Sequence, residues 1–70
     1  MDEGLRFIAA AAAVGVAALG TGLAQARIGS AGVGALAEKP DLRGTVILLL
    51  AIPETMIVLG FVVAAMILFL

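Results

Sequence analysis

Apolar positions fill two long stretches of this chain, one on either side of a short polar interruption. The first stretch runs from about Phe7 to Ala37 and is rich in Ala and Gly, with Thr21, Gln25, Arg27 and Ser30 as its polar members. The second runs from about Thr45 to Leu70, and Glu54 is its only charged residue. Between them lies Glu38-Lys39-Pro40-Asp41-Leu42-Arg43-Gly44, whose charges, proline and nearby glycine have the composition of a turn. At about 1.5 Å per residue, each apolar stretch is long enough to cross about 30 Å of hydrocarbon as a helix. A connection this short forces the two helices to lie antiparallel. The pattern predicts an all-α membrane protein, a two-helix transmembrane antiparallel hairpin. Helix one is expected over about 4–37, the polar loop over about 38–44 and helix two over about 45–70, with 1–70 forming a single hairpin domain.

Composition agrees with this reading. Hydrophobic residues make up 64% of the 70 residues and charged ones 13%, far from the usual soluble mixture. A soluble chain of this size cannot bury that much apolar surface by itself, so lipid or further copies of the chain must cover it. The net charge of −1 and the lack of a basic cluster argue against nucleic acid as a partner. The chain has no Cys and no His, which removes disulfides, thiolate metal sites and the commonest general base near neutral pH. With no nucleotide-binding loop either, the chain alone is not expected to catalyse a reaction. Asp2 and Glu3 make the N-terminus acidic where a secretory signal would be basic, and the apolar stretch after them is too long for one, so it reads as mature structure. Lys39, Arg43 and Arg27 lie toward the loop, and only Arg6 lies at the other end. The bias of basic residues predicts a cytoplasmic loop, with both termini on the outside of the cell membrane.

Small residues recur along segment one. Ala18, Gly22, Ala26, Ser30 and Gly34 are four apart, and Gly15, Gly22 and Gly29 are seven apart. Helices in lipid associate by close backbone approach, which small side chains allow. Gly15, Ala18, Gly22, Gly29 and Gly34 are therefore candidate packing positions. Their spread around the helix suggests packing on several sides by identical chains, with a simple dimer seam as the plainer reading.

Glu54 carries the candidate chemistry. A bare carboxylate in hydrocarbon costs several kcal/mol or more, so packing alone does not explain it. It lies about 15 Å along the helix from Gly44, near the bilayer midplane. Gln25 lies about 20 Å back from Glu38, so the hairpin brings the two to similar depth. Gln25 also shares a helical face with Ala18, Gly22, Gly29 and Gly32. Leu50, Ala51, Ile57 and Val58, on the turns flanking Glu54, are all apolar and favour its uncharged form. An acid that is neutral in lipid and ionised beside water or a cation can carry one charge per cycle. The plainer reading is a structural acid hydrogen-bonded between helices. Pro53 deprives the Leu49 carbonyl of its helical partner, and freed carbonyls at this depth can act as ligands, although a packing kink is equally compatible. Thr55 adds a hydroxyl that either joins the acid or bonds its own backbone. Arg27 reads as snorkelling toward the loop rather than pairing with Glu54.

With these residues assembled, the chain resembles the proteolipid c-subunit of rotary ATP synthases and ATPases over its whole length. The stretch from Ala18 to Ala26 is similar to the family's alternating-glycine helix, with Ala at some glycine positions. The stretch from Ala37 to Gly44 is similar to its polar loop, and Ile52-Pro53-Glu54-Thr55 to its carboxylate motif. That motif and the interval from Pro40 to Glu54 are closest to the V/A-type branch, with an F-type host as the alternative.

The resemblance implies a ring of identical subunits in which Glu54 binds the transported ion. It also implies a stator subunit with an essential arginine, and central stalk subunits docked on Glu38, Lys39, Pro40, Asp41 and Arg43. Ion flow would turn the ring and so couple to ATP synthesis or hydrolysis. The family's sodium sites combine an acid, a glutamine, a hydroxyl and a backbone carbonyl. Here these positions are Glu54, Gln25, Thr55 and the carbonyl of Ile52. Met56 and Leu59 stand where some sodium sites carry further oxygen ligands, so the proton is the expected ion and sodium the alternative. Two other classes compete: a small self-assembling pore, and a hairpin whose Glu54 pairs with a basic residue on a partner. Neither needs the loop motif, or Gln25 and Glu54 at matching depth.

Overall fold

In the computed structural model, which describes residues 2–70, the chain is a hairpin of two long helical arms. Helix α1 (Glu3–Glu38) starts where the Asp2 carboxylate accepts the Leu5 amide at 2.8 Å, satisfying one of the donors left free at a helix start. Its 36 residues correspond to about 54 Å of rise, matching the 54 Å long axis of the molecule. Pro40 ends it. The residue before a proline is pushed out of the helical region, and Lys39 takes extended angles (φ −136°, ψ 88°) while its amide still closes on the Ala35 carbonyl at 2.8 Å. A 3-10 turn (Pro40–Leu42) then leads into α2 (Arg43–Ala51), followed by α3 (Glu54–Phe69). The polar connection is thus shorter than its composition suggests, because Glu38 closes one helix while Arg43 and Gly44 open the next.

The second arm is interrupted at Ile52 and Pro53. Pro53 has no amide hydrogen, so the ladder tightens into shorter bonds, from the Thr55 amide to the Ile52 carbonyl and from the Met56 amide to the Pro53 carbonyl, each 3.1 Å. Ile52 and Pro53 keep helical backbone angles, so bonding is interrupted while the chain stays in the helical region.

Small residues set the distance between the arms. Ala10, Thr21, Gly32, Pro53 and Ala64 are buried. A Cβ on Gly32 would stand 2.6 Å from Val46 Cγ1, and one on Gly20 would stand 3.3 Å from Met56 Cε. This seam is distinct from the positions expected to pack identical chains together. Gly15, Gly22, Gly29 and Gly34 meet nothing within 4 Å, so the hairpin leaves them open and uses Gly20, Gly32 and Gly60 instead. The difference is one of helical face, since Ala10, Thr21 and Gly32 point toward the second arm and the open glycines are rotated off that line.

Few large side chains find cover. Leu19 is 76% exposed, and Ile8, Val16, Val33, Leu48, Leu59 and Phe61 are exposed as well. Both arms, Glu3–Glu38 and Pro40–Phe69, are long and apolar enough to cross a membrane, and their apolar sides suit lipid and neighbouring helices.

At the terminal end, Arg6 closes the hairpin. Its guanidinium donates to the Ile67 carbonyl (3.0 and 3.3 Å) and the Leu68 carbonyl (2.9 Å). A cation is well placed there, because the last carbonyls of a helix lack partners and carry partial negative charge.

Candidate functional site

The interruption of the second arm is also where polar groups from both arms meet. Gln25 Nε2 donates to Glu54 Oε1 at 2.6 Å and approaches the Leu50 carbonyl at 3.4 Å. Both partners accept, so the amide nitrogen faces them and the amide oxygen is turned away. One turn earlier on α1, the Thr21 hydroxyl donates to the Pro53 carbonyl at 2.9 Å. Thr55 Oγ1 donates to the Ile52 carbonyl at 2.7 Å, a carbonyl that also accepts the Thr55 amide.

The residues singled out from the sequence separate into groups. Gln25, Glu54, Thr55 and Ile52 cluster at one depth along the hairpin, and Glu54 is exposed on its flank. The carbonyl that Gln25 reaches is that of Leu50, whereas the missing proline amide pointed to Leu49. The difference is geometric: Leu50 lies one turn before Glu54, on the same helical face, while Leu49 is rotated about 140° from Glu54. Arg27 is exposed and takes no part in the cluster, and Glu54 Oε1 is held by Gln25 instead. Glu38, Lys39, Pro40, Asp41 and Arg43 are all exposed together at the tip. Thr21 is the residue that sequence reasoning passed over. It is 3% exposed, and its spacing of four from Gln25 was the available signal.

This arrangement can hold an acid with one oxygen engaged by an amide donor while the carboxyl remains reachable from the hairpin's flank. As a cage for a hard cation it supplies the Glu54 oxygens and the Thr55 hydroxyl oxygen. The Ile52 carbonyl is occupied by Thr55, and Gln25 presents nitrogen.

Comparison with known proteins agrees with this anatomy. The family model for the ATP synthase C-subunit matches residues 8–67. The chain is similar to the K-subunit of the A-type ATP synthase of Methanocaldococcus jannaschii, 44% identical over 62 residues that cover 89% of this chain and 28% of that protein. The chain therefore spans about a quarter of the length of that relative. It is also 41% identical to the ATP synthase c-subunit of Microcystis aeruginosa and 39% identical to that of Thermosynechococcus vestitus. These matches cover 89% of this chain and 82% and 80% of the relatives, respectively. With a match over most of its length and two arms able to span a bilayer, the chain belongs to the ATP synthase C-subunit family and is a membrane-embedded rotor-ring subunit of a rotary ATP synthase.

Proposed function

We propose that Glu54 is the ion carrier of this rotor subunit, and that the ion is the proton. The observation that carries this reading is the 2.6 Å bond from Gln25 to Glu54 at the break in the second arm. An acid held on one oxygen by a neutral donor keeps its other oxygen free to take up and release a proton. Ionisation then requires a polar or cationic surface to face the flank of the hairpin where Glu54 is exposed. A stator subunit bearing an arginine supplies that surface, and away from it the acid travels neutral through lipid. The proton is favoured over sodium because Met56 and Leu59, at positions where further oxygen ligands would complete a hard-cation shell, offer none.

Identical subunits complete the ring against the open glycines of α1, with Gly15, Gly22 and Gly29 along one face and Gly34 on another, all allowing close approach. Glu38, Lys39, Pro40, Asp41 and Arg43 form a charged tip suited to docking the central stalk on the cytoplasmic side, with both termini outside. Pro53-Glu54-Thr55 and the interval from Pro40 to Glu54 favour a V/A-type host complex.

The test is the rate at which a hydrophobic carbodiimide labels Glu54 in membranes, measured across pH with and without sodium. Labelling that follows pH alone is expected. Suppression by sodium would make this a sodium rotor, and absence of labelling would remove Glu54 as the carrier.

A further inference from the structure

Thr21 is the one buried polar side chain among the described residues of the hairpin, and the ion-carrier reading does not use it. It sits on α1 one turn before Gln25, so both side chains project toward the second arm. There they engage consecutive residues: Thr21 donates to the Pro53 carbonyl at 2.9 Å and Gln25 donates to Glu54 Oε1 at 2.6 Å. The Pro53 carbonyl belongs to the segment where the ladder has tightened, and its bond from the Met56 amide spans only three residues. The first arm therefore grips the second at its least regular point, by a hydroxyl whose hydrogen bond goes to the backbone and not to the carboxyl.

We propose that Thr21 is a positioning residue for Glu54. By tying the Pro53 carbonyl to α1, it sets the depth and separation at which Gln25 reaches the acid. The inference rests on the reading of Glu54 as the ion carrier. Two features of the surroundings fit the role. Thr21 is buried in an apolar setting where a hydroxyl without a partner is costly, so the bond is not readily exchanged for another. The interrupted segment has also lost the helical bond that Pro53 would have made, so an external tie has more influence there than on an intact turn. The titratable group in reach is Glu54 itself, with Gln25 the neutral donor facing it from α1.

The test compares carbodiimide labelling of Glu54 across pH in membranes carrying the intact complex, for wild type, Gln25→Leu, Thr21→Val and Thr21→Ser. Thr21→Val keeps the volume and removes the donor, whereas Thr21→Ser keeps the donor. Thr21→Val is expected to displace the pH of half-maximal labelling in the same direction as Gln25→Leu, by about two- to tenfold in proton concentration. Thr21→Ser should keep the wild-type profile. Should Thr21→Val fail to assemble, Thr21→Ala against Thr21→Ser makes the same comparison with side chains that cannot overpack. A wild-type profile in Thr21→Val or Thr21→Ala, beside a displaced one in Gln25→Leu, overturns the inference and leaves Glu54 as carrier. A Thr21→Ser profile displaced as far as that of Thr21→Ala overturns it too, since packing would then be the cause. If wild-type Glu54 does not label, the carrier reading fails and the inference falls with it.

Discussion

Gly60 of α3 and Ala17 of α1 lie so close that a Cβ added to the glycine would stand 2.6 Å from that of the alanine. The same added atom would be 2.9 Å from the Ala13 carbonyl oxygen, which is backbone and cannot swing aside. Gly60→Val should therefore push the arms apart at a cost of about 1–3 kcal/mol. Gly15→Ala adds a methyl that meets nothing within the hairpin and improves helix propensity, so any loss of stability it causes comes from neighbouring subunits. Thermal dissociation of the detergent-solubilised ring, followed on gels, compares the two. A Gly60→Val ring that dissociates at the wild-type temperature contradicts the close contact.

Glu54→Gln keeps the shape of the side chain and removes its ionisation. Carbodiimide labelling and ATP synthesis driven by an ion gradient should both fall to background, while the protein still reaches the membrane and assembles. Synthesis that persists in this variant would mean that another group carries the ion.

Gln25→Leu removes the donor to Glu54 Oε1 and the approach to the Leu50 carbonyl. A hydrogen bond to a charged or polar partner at this depth is worth about 1–2 kcal/mol, so the labelling rate at fixed pH should change by about five- to thirtyfold. Gln25→Glu places a second acid beside the first and should disturb the profile in a different way, because two nearby carboxyls do not titrate independently. An unchanged rate in Gln25→Leu would show that the bond contributes nothing to the state of the acid.

Arg6 ties the start of α1 to the end of α3 through the Ile67 and Leu68 carbonyls. Arg6→Met keeps the aliphatic stem and removes the donors. Local opening of the last turn of α3 should become easier by about 1 kcal/mol, seen as roughly fivefold faster hydrogen exchange at Phe69 and Leu70. Exchange that is unaffected there would mean that the last turn is held by packing alone.

The arms themselves were readable from the chain because the signals are local and strong. Apolar runs of this length, with one polar interruption, admit few structures in a bilayer, where every backbone group must find its partner within a helix. The depth match between Gln25 and Glu54 was also readable, because helical rise converts residue counts from a common turn into distance. The seam was harder to read. A residue's helical face is a matter of angle, and a chain with small residues on most sides offers several faces of similar character. That is why Gly15, Gly22, Gly29 and Gly34 stood out in the sequence while Gly20, Gly32 and Gly60 make the approach between the arms.

The amino-acid order alone determined a membrane hairpin, its turn at Pro40 and the lone acid in its second arm, because each follows from length, hydropathy or the backbone restriction of a proline, whereas the break of that arm at Ile52 and Pro53 came with the structure. Only the tertiary structure decided which groups touch. It brought Gln25 to Glu54 and to Leu50, turned the Thr55 hydroxyl onto Ile52, and buried Thr21 against the Pro53 carbonyl. Those choices depend on the rotation of one arm about its axis relative to the other. That rotation is fixed by the fit of small side chains along the whole seam, which no single stretch of sequence records.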